Sequence, residues 1–118
     1  MMRAELKRLH YPDMDIESFW PDDPECFHFL MQAMIGPEGT DTEESFDFEV
    51  STPKWLLQHR ASQCAVFGHH MILAFDYDLK AIEARVRSLC SRTTGETWEQ
   101  IASKLSQFGR WEFEDYRP

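Results

Sequence analysis

The chain has 118 residues, of which 42% are hydrophobic and 14% aromatic, with 21 Asp and Glu against 12 Lys and Arg and a formal net charge of −9. That length and apolar content fit one folded domain spanning residues 1–118 and exclude a disordered chain. The acidity disfavours direct contact with nucleic acid or an anionic membrane, and through long-range steering it favours a basic protein partner.

Cys26, Cys64 and Cys90 form an odd set without paired spacing. The N-terminus Met1-Met2-Arg3-Ala4 opens no apolar signal core, so a reducing cytoplasmic location is expected. No apolar run approaches the roughly 20 residues of a membrane-spanning helix.

In chain order, Arg3 to Tyr11 mixes apolar and charged residues with a loose period of two and predicts a first strand at a sheet edge. Residues 12 to 25 carry three prolines among six carboxylates, which predicts an irregular loop anchored by Phe19 and Trp20. Phe27 to Ile35 is apolar on both alternating faces and reads as a central strand covered on both sides. The acidic connection Gly36 to Glu43 is too long for a tight hairpin turn and should project.

Glu44 to Thr52 alternates cleanly, with Phe46, Phe48 and Val50 on one face and Asp47, Glu49 and Ser51 on the other. Thr52-Pro53 supplies an N-cap and a first-turn proline for a short helix ending near Arg60. Ala65 to Phe75 reads as another interior strand, with a bulge at Gly68. Asp76 or Asp78 caps a helix through Leu79, Ile82, Val86 and Leu89. Thr97 and Gln100, at capping-box spacing, open a last helix that Gly109 can stop. Trp111 to Tyr116 alternates and predicts a final strand or packed tail. The expected fold is α+β: a single, mainly antiparallel sheet with two or three helices packed on one face.

Catalytic signatures are absent from the sequence, which has no Gly-x-Ser-x-Gly, no phosphate-binding glycine loop and no His-Glu-x-x-His. His69 and His70, as strand neighbours, would point to opposite faces. Cys26 and His28 would share a face, but nothing marks the further ligands a metal needs. Neither metal nor cofactor is therefore expected. Asp41, Glu43 and Glu44 on the loop, continued by Asp47 and Glu49 along the strand, form the leading candidate docking surface. Glu112, Glu114 and Tyr116 add an acidic-aromatic edge with Tyr116 as its anchor.

Several stretches together resemble one known family. They are Met34-Ile35-Gly36-Pro37-Glu38-Gly39, Glu44-Ser45-Phe46-Asp47-Phe48-Glu49-Val50, Thr52-Pro53-Lys54-Trp55-Leu56, Val66-Phe67-Gly68, the helix from Tyr77 to Val86, and Thr97-Trp98-Glu99 through Trp111-Glu112-Phe113-Glu114-Asp115-Tyr116. Over most of residues 34 to 118 the chain resembles the Immunity protein 8 family, which is associated with bacterial polymorphic toxin systems. The resemblance implies a cytoplasmic protein that binds and blocks a cognate toxin, and it brings no catalytic residues. A toxin that attacks nucleic acid, such as a nuclease, would present the basic cleft that an acidic inhibitor fits. The residues also leave open a small enzyme using a Cys, His and carboxylate site, or a nucleic-acid mimic inhibiting another enzyme.

Overall fold

The computed structural model describes residues 1–114. Its elements are β1 (Met2–His10), β2 (His28–Pro37), β3 (Glu44–Ser51), α1 (Pro53–His59), a 3-10 turn (Ala61–Gln63), β4 (Met71–Leu73), α2 (Leu79–Ser91), β5 (Thr94–Gly95), α3 (Trp98–Leu105) and β6 (Arg110–Trp111). The sheet runs β4-β3-β2-β1-β5, and β6 also pairs with β3, alongside β4 on the edge away from β2.

The fold is α+β, but its sheet is mixed. Every pairing among the described residues is antiparallel except β3 with β4, where Glu49, Val50 and Ser51 lie beside Met71, Ile72 and Leu73 in parallel. The cause is the intervening α1 and 3-10 turn, which carry the chain away from the end of β3 and back, so that β4 enters beside Glu49 and runs in the same direction, as a parallel crossover requires.

β3 follows its alternation, with Phe46, Phe48 and Val50 buried and Asp47 and Glu49 half-buried. On β2, Phe29, Met31, Ala33 and Ile35 are buried, whereas His28, Leu30, Gln32 and Met34 are only partly covered. The sheet therefore has one packed face and one largely open face, which corrects the expectation of a strand covered on both sides. α2 contributes Ile82, Val86 and Cys90 to the packed side and α3 contributes Ile101, Ala102 and Leu105. Each large apolar side chain removed from water there stabilises the fold by roughly 1.5–3 kcal/mol.

Local chemistry sets the helix starts. Thr52, Asp78 and Thr97 accept hydrogen bonds from the backbone N–H groups of Trp55, Ala81 and Gln100 respectively. The Gln100 side chain reaches back to Glu96 N rather than to Thr97, a one-residue departure from the capping box. After α3, Gly109 N–H donates to Leu105 O at 3.0 Å. A Cβ at Gly109 would stand 2.6 Å from the Phe48 ring, so its lack of a side chain lets the chain turn tightly over the core.

Other expectations are corrected. The strand expected over Ala65 to Phe75 is reduced to Met71–Leu73, and residues 65–69 are exposed, with Phe67 97% accessible. Cys64 and His70 adopt left-handed backbone angles, φ 66° and 58°, which bracket the segment and keep it from extending. Gly68 lies in this irregular stretch and not in a strand bulge. β1 is not a bare edge, because Met2 and Arg3 pair with β5 and α2 packs beside the strand. Phe19 does join the buried Tyr11, Phe27, Phe29 and Tyr77 rings, but Trp20, set edge-on to Tyr77, stays 65% exposed. β6 ends at Trp111 and the chain turns, with Glu114 N–H donating to Trp111 O.

Candidate partner-binding surface

Alternation along β3 and the residues leading into it places Glu43, Ser45, Asp47 and Glu49 on the open side of the sheet, a row about 20 Å long at ~3.3 Å per residue. Asp41 is exposed in the connection before it and has no hydrogen-bonding or ionic partner among the described residues. The row is acidic but not unpaired. Arg8 donates through Nη2 and Nε to Glu43 Oε1 at 2.9 and 3.1 Å. Gln32 Nε2 donates to Asp47 Oδ1 at 3.1 Å, and Arg110 lies opposite Asp47 in the ladder.

Glu49 is the most tightly held of the row. His28 Nε2 lies 2.7 Å and Arg60 Nη2 3.3 Å from its Oε1. The His28 ring stacks on Trp55 at 4.1 Å, Trp55 stacks on His59 at 4.3 Å, and the Arg60 guanidinium sits 5.5 Å over Trp55. This stack fastens α1, which contributes no buried residue, to the open end of the sheet. Sequence reasoning missed it, although the four-residue spacing of Trp55 and His59 places both rings on one helix face.

The hydrogen bond from His28, supported by Arg60, holds the Glu49 carboxyl below its ordinary value of 4.5 against the opposing effect of burial. A lowered folded-state value means that Glu49 stabilises the fold fully above the unfolded value and loses that contribution as pH falls through the folded one. Urea unfolding of wild type and Glu49→Gln should therefore differ near neutral pH and converge well below about pH 4. A gap that widens towards acid would contradict the assigned pair.

Glu44 belongs elsewhere. It shares the parity of Phe46, and its Oε1 accepts from Trp98 Nε1 and Trp111 Nε1, each at 2.8 Å. One carboxylate thus ties the start of α3 and β6 to the head of β3. Glu44→Ala should lower stability by about 1–3 kcal/mol because two partly buried indole N–H groups lose their acceptor, and Glu44→Gln, which keeps an acceptor oxygen, should cost less. Urea midpoints of the two variants test this order.

Glu112 is similarly engaged. Its Oε1 accepts from Ser45 N at 2.7 Å while its own N–H donates to Ser45 O at 3.1 Å. Glu114 lies 3.7 Å from His70 Nε2, which also contacts Ser106 O at 3.0 Å. Tyr116 lies outside the described residues. Of the eight candidates, the structure groups Glu43, Asp47 and Glu49 along one side, leaves Asp41 exposed in the connection before them, directs Glu44 and Glu112 into bonds within the chain, and separates Glu114.

His69 and His70 lie in a turn, not on opposite strand faces, and their ring centroids are 3.6 Å apart. Cys26 Sγ contacts Gln58 Oε1 at 3.4 Å while His28 is held by Glu49, so the two have separate partners. Among the described residues no three His, Cys, Asp or Glu side chains gather to hold a metal ion. A groove of about 250 Å³ between Gly36, Thr42 and Trp98 is lined by Glu43 and Glu44, without a Cys or His. No helix of the described residues is long and apolar enough to cross a membrane.

Comparison with known proteins found no match among curated proteins and none among solved structures. A family profile described as Immunity protein 8 matches residues 4–116. That match spans nearly the whole chain, from β1 through the residues that follow β6, and on it this protein belongs to the Immunity protein 8 family.

Proposed function

We propose that this protein protects its own cell from a cognate toxin by binding the toxin in the cytoplasm and blocking it, without catalysing a reaction. Family membership carries the immunity role. The further steps, a basic toxin and an acidic contact surface, rest on the net charge of −9 and on the row of Glu43, Asp47 and Glu49 with Asp41 beside it.

An open sheet face suits an inhibitor because a rigid strand holds its side chains in place before the partner arrives, which limits the ordering cost of association. The bonds to Glu43, Asp47 and Glu49 each fall on a single carboxylate oxygen, so the other oxygen of each retains lone pairs for cations of the partner. Glu44 and Glu112 support this surface from within, as acceptors for indole and backbone N–H groups. Among toxin classes, charge complementarity favours one with a basic cleft, such as an enzyme acting on nucleic acid.

The test is survival. A toxin identified beside this gene is expressed with and without the protein, and growth should be rescued by the wild-type chain. Continued killing by an active toxin, with the protein present and folded, would remove the immunity role.

A further inference from the structure

The sheet ends at β4, and this edge is open. Among the described residues β4 pairs with β3 and no other strand. Glu49 N–H donates to His70 O and Ala74 N–H to Ser51 O, both at 2.9 Å. Alternation along the strand then turns the N–H and C=O of Ile72 towards β3 and leaves those of Met71 and Leu73 facing outward.

Beside this edge a groove of about 290 Å³ runs between β4 and α2. Phe48, Ile72, Leu73 and Leu89 give it apolar walls, Arg85 and Arg92 flank it, and no Asp or Glu lines it. Neither arginine pairs with a carboxylate among the described residues, and Arg92 Nε donates to Ser88 O within its own helix. Of the lining residues, Leu73 is 53% and Phe108 51% exposed. Among its described residues, a chain of net charge −9 thus keeps two cations without a carboxylate partner, and exposed apolar side chains, against a strand edge with no neighbouring strand.

We propose that this edge and groove receive an extended segment of the toxin that is apolar and acidic, a deeper statement of the toxin-binding reading on which it rests. The segment adds a strand beside β4, exchanging main-chain hydrogen bonds with Met71 and Leu73. Its side chains on the helix side enter the groove, and at least one carboxylate reaches the forked donors of Arg85 or Arg92. Charge selects this occupant, because a basic segment is repelled here and an acidic one is repelled by most of the remaining surface. A second copy of this chain fits less well, since a twofold pairing of β4 strands brings the same arginines of both copies to one interface.

The toxin domain encoded beside this gene is the probe, titrated against wild type and the double variant Arg85→Glu/Arg92→Glu, whose folding is checked by thermal melting. The double variant should bind at least about tenfold more weakly. In the wild-type complex, hydrogen exchange at the amides of Met71 and Leu73 should slow by at least about tenfold. Unchanged affinity of the folded variant overturns the proposal. So does unchanged exchange at those two amides, a measurement that needs no variant. A wild-type dimer in size exclusion that the double variant dissociates would assign the groove to a second copy and also overturn it. Failure of the toxin to bind wild type at all would remove the toxin-binding reading itself.

Discussion

Reversing Asp41, Glu43 and Asp47 together to lysine should slow association with the toxin by about tenfold to a hundredfold at low salt and flatten the salt dependence of the rate. Each reversal adds two positive charges, so the formal net charge moves from −9 to about −3, with the change confined to one side of the sheet at Glu43 and Asp47 and to the adjoining loop at Asp41. Diffusional encounter depends on that local field, which salt screens with a Debye length of about 10 Å at 0.1 M. Asp41 is exposed, whereas Glu43 and Asp47 are half-buried and lose the Arg8 pair and the Gln32 hydrogen bond, so the triple variant should lose about 1–3 kcal/mol of stability and still fold, which thermal melting checks. Stopped-flow association across a salt series tests this. An unchanged rate and an unchanged salt slope would show that this side of the sheet does not steer the partner.

Phe46→Ala should lower unfolding free energy by about 3–5 kcal/mol. Phe46 is fully buried in β3, opposite Ala33 on β2 and opposite Trp111 on β6, whose ring lies parallel to its own at 6.4 Å. Truncation removes the ring's transfer energy and leaves a cavity that Ala33 is too small to fill. Because domains of this size are stable by only about 5–15 kcal/mol, the variant should sit close to its unfolding transition at growth temperature. Protection in the cell should fall with it, through loss of folded protein rather than loss of a contact. Urea unfolding measures the effect, and a loss below about 1 kcal/mol would contradict the packing described for β3.

The triple reversal and Phe46→Ala both rest on an alternation that is legible in the sequence. Phe46, Phe48 and Val50 could be assigned to the core because a half-buried strand repeats every two residues. Thr52 and Thr97 mark two helix starts in the sequence and Asp76 or Asp78 a third, which the structure assigns to Asp78, since capping is a local bond between one side chain and the next turn. Glu44 was readable too, because it has the parity of Phe46, yet grouping it with the acidic loop concealed that it faces two indoles.

Other features depended on distant parts of the chain. Whether a strand is parallel follows from where its connection returns it, which composition does not encode for the stretch between Thr52 and Met71. The Ala65 to Phe75 run is apolar without a sustained period of two, and apolar content alone does not separate an interior strand from a loop such as the one that exposes Phe67. The partners of Glu49, at His28 and Arg60, come from β2 and from the end of α1. The Arg85 and Arg92 groove escaped notice because it joins the face of one helix to the edge of a strand formed elsewhere.

Calorimetric titration of the purified toxin domain with this protein measures direct binding. A saturable one-to-one complex in the nanomolar range or tighter is expected, with toxin activity falling in proportion to the complex formed. Absence of binding at micromolar concentrations, with both proteins folded and the toxin active, would contradict it.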